Sequence, residues 1–428
     1  MASDILKDLP ELVNGNLISA ETAEKIRLHY RNKSKDSSHR PVLVFGILGA
    51  LITGLGIILI IAHNWDELSR QTKTILAFIP LLLGQVAAGY TLLKKDGEQN
   101  RKEAAATFLF LAVGATISLI SQIYHIPGKI SSFLLTWMLL CLPLVYLMRS
   151  GTASLLFLLG ITYYAAETGY WTYGSSENYY YWPLLLAVLP FYFFLFRKKP
   201  QSNFLIFHNW FLPLSVTIAL GTVARHTEEF MFIAYLSLFG LFLQLGSLSF
   251  FNSQKLRNNG FKICGFAGTV ALLLFLSFET FWKSLGRQPF KAQDLISPEF
   301  ISAVLVTITA GLFLFRQYRQ KPLTELNPFE IVFLVFALQF PIGYLYPLAG
   351  AVAINLLTLF LGIFTIRSGA RQDSLGILNF GLLLITALVI CRFFDTNLTF
   401  IARGVLFILV GLSFFAANYY LLKKRKTA

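Results

Sequence analysis

The chain has 428 residues, of which 55% are hydrophobic and 14% charged, and its mean hydropathy is +0.62. Soluble domains carry about 25% charged residues and much shorter apolar runs, so an ordinary water-soluble fold is excluded. The formal net charge of +14 invites a nucleic-acid reading, which the placement of that charge along the chain removes.

Residues 1–40 are polar and read as a cytosolic amphipathic helical hairpin. Ile5, Leu6, Leu9, Leu12 and Val13 recur at helical spacing, Asn14-Gly15-Asn16 interrupts them, and a second helix is expected from about Ala20 to Arg31. Lys25, Arg27, Arg31, Lys33, Lys35 and Arg40 make a basic approach to a membrane. This polar start is not a cleavable signal peptide, so the run from Pro41 is expected to act as an uncleaved insertion signal.

From Pro41 onward apolar runs alternate with short polar breaks. About 20 apolar residues cross a bilayer as a helix. By that measure the candidate spans are 41–62, 74–93, 104–124, 131–148, 153–171, 180–196, 205–223, 230–250, 262–281, 299–315, 329–345, 347–366, 374–391 and 399–422. The run at 299–315 is short, and 329–345 contains Gln339-Phe340-Pro341 with only Tyr346 before the next run. Those two neighbours are therefore expected either as separate spans or as one broken, re-entrant pair. The resulting fold class is all-α: a polytopic membrane helical bundle of 12–14 spans occupying 41–428.

The basic residues give the orientation. With the N-terminus placed in the cytosol, the inner segments hold 27 of the 36 Lys and Arg and the outer segments 8, with Arg403 inside the last span. This is the asymmetry of the positive-inside rule, and Lys423-Lys424-Arg425-Lys426 places the C-terminus inside as well. The positive charge thus arises from topology and implies no nucleic-acid partner. Cys141, Cys264 and Cys391 sit in or at the end of apolar runs, with no Cys/His ligand spacing, so neither a disulfide framework nor a metal site is expected. No motif calls for a cofactor, and nothing specifies an oligomeric state.

Ionisable side chains near membrane spans are costly and each is a candidate for function. At or near outer ends lie His63, Asp66, His125, Glu167, Glu279, Arg392 and Asp395, with Arg403 a few residues inside. His63 and Asp66 share a face if a helix runs through them, and would serve as proton carrier or substrate clamp. Equally, they would be interfacial anchors beside Trp65, with Asp66 capping Glu67-Leu68-Ser69-Arg70. His125 precedes Pro127-Gly128 and also reads as a turn residue. Glu167 and Glu279 sit among aromatic residues, a composition shared by sugar-stacking walls and lipid-interface belts. Arg403 would either clamp a carboxylate such as Asp395 or Glu279, or bind an anionic headgroup in bidentate fashion. Neutral amides (Gln85, Gln122, Gln244, Gln339, Asn355, Asn379) occur at depth, and Gly46, Gly49, Gly54 and Gly56 read as packing residues of the first span. His-Asn-Trp recurs at 63–65 and 208–210, near opposite ends of its spans, and is treated as coincidence.

Several of these stretches together resemble a family of bacterial membrane proteins known as domain of unknown function 2157. They are Leu12-Val-Asn-Gly15-Asn-Leu-Ile18-Ser19, the glycine-rich first span closing on Ala62-His63-Asn64-Trp65, Gln122-Ile-Tyr124-His125, and Trp137 with Leu142-Pro143. The resemblance is concentrated in 8–150, with a distal part in 374–422 where Arg392-Phe-Phe-Asp395 precedes Arg403-Gly404 and Gly411. It implies a bacterial inner-membrane location and no assigned activity. The residues themselves favour a non-enzymatic protein that binds or moves a small or lipid-linked anionic substrate through a polar cavity open to the outer face. The alternatives are an outer-face enzyme acting on a lipid-linked sugar, and a structural or sensory membrane subunit.

Overall fold

A computed structural model describes residues 65–94, 98–171, 177–225, 227–252, 255–285, 291–319 and 326–395, most of 9–27, and scattered positions between 401 and 419. The expected first span 41–62, His63, Arg403 and most of the last span 399–422 lie outside the described residues. The chain divides into two compact units, Met1–Ala77 and Phe78–Ala428.

In the first unit, a helix at 20–27 starts where the sequence places one. Ser19 caps it, its Oγ accepting the Thr22 N–H at 3.2 Å. Trp65–Glu67 forms a single 3-10 turn, and Ser69, not Asp66, caps the long helix that begins at Arg70: its Oγ accepts the Thr72 N–H at 3.2 Å. The turn begins at Trp65, so Asp66 lies within it rather than ahead of Glu67-Leu68-Ser69-Arg70. The expected capping role of Asp66 is thereby corrected.

The spans of the bundle begin with α1 (Arg70–Lys94), α2 (Gln99–Ile123), α3 (Ile130–Leu147), α4 (Gly151–Ala166), α5 (Tyr181–Lys198), α6 (Asn203–Gly221) and α7 (Glu229–Gly246). Then come α8 (Gly260–Leu276), α9 (Glu279–Leu285), α10 (Pro298–Tyr318), α11 (Val332–Leu345), α12 (Pro347–Arg371) and α13 (Leu375–Asp395). Ten helices among the described residues are long and apolar enough to cross a membrane, or eleven if the bent pair α8–α9 counts as one span. No strand occurs among the described residues. The protein is a polytopic all-helical membrane bundle. Several spans start at a residue suited to it: Ser150, Ser202, Asn259 and Ser297 accept N–H groups of the first turns of α4, α6, α8 and α10. Prolines 80, 143, 190, 213 and 341 are accommodated inside helices, as membrane spans allow.

One expected span is borne out, one open alternative is settled and one expectation is altered. The 299–315 run is a full helix of 21 residues, and α11 and α12 are separate spans rather than a broken pair. The break falls instead in the expected 262–281 span, between α8 and α9, with a bend of 83°. Pro341 sits in the last turns of α11, where little helix remains to be disrupted, whereas Ser277-Phe278 lies where α8 has used its 17 residues.

Two hydrophobic cores organise the second unit. One, among α1–α6, surrounds Met138, Phe157, Ile161, Tyr181 and Val188. The other, among α7–α13, surrounds Leu273, Trp282, Phe333, Phe336 and Ile354. A seam of Leu220, Met231, Ala234 and Leu238 joins them along α6 and α7. Following the chain from span to span, 124–129, 167–171 with 177–180, 222–225 with 227–228, and 277–285 with 291–297 lie at the end of the bundle expected to face outward, and 148–150, 199–202, 247–252 with 255–259, and 319 with 326–327 at the other.

Candidate functional site

The break between α8 and α9 draws polar groups from other helices. At its last turn α8 tightens: the Ser277 N–H donates to Leu274 O at 3.3 Å, and the Ser277 hydroxyl donates to the same oxygen at 2.6 Å. The carbonyls that the bend releases need donors. Asn355 on α12 supplies one, its Nδ2 donating to Ser277 O at 2.9 Å and to Ala351 O at 2.7 Å. Trp282 on α9 supplies another, its indole N–H reaching Leu276 O at 2.8 Å. Arg392, which closes the apolar run Leu375–Arg392, donates from Nη2 to Ser277 Oγ at 3.1 Å. Its guanidinium also stacks 4.8 Å from the centroid of Phe278.

The bend itself is held by size. Trp282 is fully buried, and its ring lies against Gly343 of α11 and Gly350 of α12, where an added Cβ would come within 2.4 and 2.9 Å of it. Only glycine admits the indole at the α11–α12 junction. On the exposed side of α9, Glu279 pairs with Lys283 at 2.9 Å. The arrangement therefore places a guanidinium at a helix break near the expected outer surface, and this is the group suited to holding an anion, since the Ser277 hydroxyl and the Asn355 amide donate to backbone carbonyls.

A second outer-end constellation ties the two cores together. The Arg225 and Thr227 N–H groups both donate to Oε1 of Glu299, which is fully buried at the start of α10. Arg225 Nη2 donates to Asn178 Oδ1 at 3.2 Å and its guanidinium lies 5.5 Å from the Tyr179 centroid. Asn178 in turn donates to Thr222 O at 2.7 Å.

At the opposite end, Glu103 of α2 accepts the Gly151 and Thr152 N–H groups, each at 2.9 Å, and the Ser150 hydroxyl. Its carboxylate thus sits at the positive N-terminus of α4. One turn further in, Ser154 Oγ lies 2.8 Å from His208 Nε2, and His208 Nδ1 lies 2.7 Å from Phe204 O. The Phe204 oxygen can only accept, so Nδ1 carries the proton and Ser154 donates to Nε2. Glu330, nearly fully buried, accepts from Ser247 at 2.9 Å and from Tyr318 at 3.0 Å.

Of the residues singled out by sequence, Glu279 and Arg392 come together around Ser277-Phe278. Asp395 ends α13 three positions beyond Arg392, and its side chain is outside the described residues. Glu167 begins a π-helical turn, Glu167–Trp171, that prolongs α4, in the part of the bundle built around the other core. His125 terminates α2 with a left-handed backbone, φ 51°, and is exposed. Asp66 belongs to the first unit. Ser277, Trp282, Asn178, Glu299 and Glu103 carry contacts that no sequence pattern singled out, and His208 stood only in the His-Asn-Trp recurrence set aside as coincidence. The signal that could have pointed to Glu299 is the Ser-Pro-Glu start of α10, an N-cap followed by an acidic residue in the first turn.

The all-helical membrane architecture accords with the comparisons with known proteins. Residues 10–154 match the family described as "Predicted membrane protein (DUF2157)". This is the family that the N-terminal motifs resemble. The match covers the segment through the start of α4, including Glu103 and its capping contact. No curated protein and no solved structure matches the chain.

Proposed function

We propose that this is a bacterial inner-membrane protein with both termini in the cytoplasm, and that it binds or moves a small or lipid-linked anionic substrate at the outer end of its bundle. The observation that carries the reading is the Arg392 guanidinium at the α8–α9 break, beside Ser277 and Asn355. Broken membrane helices with polar groups at the break are where transporters hold solutes. A cation in that position gives the preference for phosphate or carboxylate. The excess of Lys and Arg in the inner segments supports the orientation. His63, Asp66, Asp395 and Arg403 each lie at or near the expected outer end of their own span on sequence grounds.

The test is thermal unfolding of detergent-purified protein with inorganic phosphate or a polyprenyl phosphate. An anion-dependent rise in melting temperature is expected for the wild type, a smaller one for Arg392→Lys, and none for Arg392→Gln. The same rise in Arg392→Gln, or no rise in the wild type, overturns the proposal. The two anions separate a free from a lipid-linked substrate.

A further inference from the structure

The two cores treat their buried polar side chains differently. Around the first, hydroxyls, an imidazole and an amide find one another. Ser154 meets His208 at 2.8 Å, Ser215 meets Thr162 at 2.6 Å and Tyr181 at 2.7 Å, and Tyr192 meets Asn209 at 2.9 Å. Around the second, Gln244 of α7 is 1% exposed, and neither atom of its amide has a hydrogen-bond partner among the described residues. Thr269 of α8 is also 1% exposed, and its hydroxyl has none there either.

Both groups approach one level of the bundle. Ser237, Gly240 and Gln244 form one stripe of α7 facing α10 and α11, since Ser237 bonds Thr307 at 2.7 Å and Gly240 lies against Phe333. On α8, Gly265 lies against Leu243 and Phe239, and Thr269 comes one turn later. Helical side chains lean toward the N-terminus of their own helix. Because α7 and α8 run in opposite directions, Gln244 leans toward the level of Gly240 and Thr269 toward that of Gly265. Both side chains therefore reach toward the same level of the bundle. Burying an amide and a hydroxyl in a bilayer-embedded core without partners costs several kcal/mol.

We propose that Gln244 and Thr269 form an internal hydration site, which takes a small neutral hydrogen-bonding ligand with the size and chemistry of water. An amide offers both donor and acceptor, as water requires. The neighbouring Leu243, Phe239 and Phe333 supply no charge to neutralise an ion. The site lies one turn in from Ser247, whose hydroxyl meets Glu330. This inference is independent of the anion site, which shares α8 but draws its polar groups from the α8–α9 break, α12 and α13.

The experiment is millisecond radiolytic hydroxyl-radical footprinting of the full-length protein in detergent, which oxidises side chains adjacent to bound water. Leu243 and Phe333 are expected to label several-fold faster than Phe157 and Leu158, which are equally buried in the first core. The double variant Gln244→Met with Thr269→Val, which approximately conserves volume, is expected to lose that excess while eluting as wild type on gel filtration. Labelling of Leu243 and Phe333 at the rate of Phe157 overturns the proposal. So does a higher melting temperature of the double variant with no wild-type excess of labelling, the result for a dry site relieved of its orphaned groups.

Discussion

The indole of Trp282 occupies the space that a side chain at Gly343 would fill, since a Cβ there would lie 2.4 Å from the ring. The contact is between rigid groups, because the indole is fully buried and anchored through its N–H to Leu276 O. Gly343→Ala is therefore expected to destabilise the bundle by about 1–3 kcal/mol through overpacking. Thermal unfolding in detergent checks this, and an unchanged melting temperature would show that α9 can withdraw. Trp282→Phe removes the N–H donor but keeps most of the ring, and is expected to cost about 1 kcal/mol.

Glu103 satisfies two backbone N–H groups and a hydroxyl at the start of α4. Glu103→Gln keeps the shape but removes the charge from the helix N-terminus and leaves only one oxygen to accept. We expect a loss of about 1–3 kcal/mol, read as a lower melting temperature. Ser150→Ala, which also deletes the α4 cap, is expected to lower it by a similar amount, and the two losses should be less than additive.

Ser154 and His208 form a closed buried pair. Ser154→Ala leaves Nε2 of His208 without its donor in an apolar surrounding, a cost of about 1–3 kcal/mol. His208→Phe with Ser154→Ala should recover part of that loss. A double-mutant cycle measures the coupling, and a coupling energy near zero would mean that the hydrogen bond contributes nothing to stability.

Orientation can be read by cysteine labelling in a background lacking Cys141, Cys264 and Cys391. Gly128→Cys lies in the loop after α2, where an added Cβ meets no neighbour, and Gln201→Cys lies in the loop between α5 and α6. In intact cells an impermeant maleimide should modify position 128 and spare 201. The reverse pattern would invert the topology inferred from the basic residues.

The sequence alone determined that the chain is a membrane bundle, where each described span lies to within a few residues, and which ends carry the basic loops. These come from hydropathy and charge along the chain, which act locally: a run of apolar residues must enter the bilayer as a helix whatever it packs against. That is why α1 at Arg70–Lys94 was legible as 74–93. The location of the break was not legible. Gln339-Phe340-Pro341 has the composition of a break, yet α11 runs through it, while the unremarkable Ser277-Phe278 bends by 83°. What decides is whether distant groups meet the polar atoms at the break: Asn355, 78 residues away, donates to the Ser277 carbonyl, and Arg392, 115 away, to its hydroxyl. The same holds for Gln244 and His208. Both are polar residues in apolar runs, and only the tertiary structure shows that His208 found a partner in Ser154 while Gln244 was enclosed without one among the described residues, because pairing depends on which helix faces which.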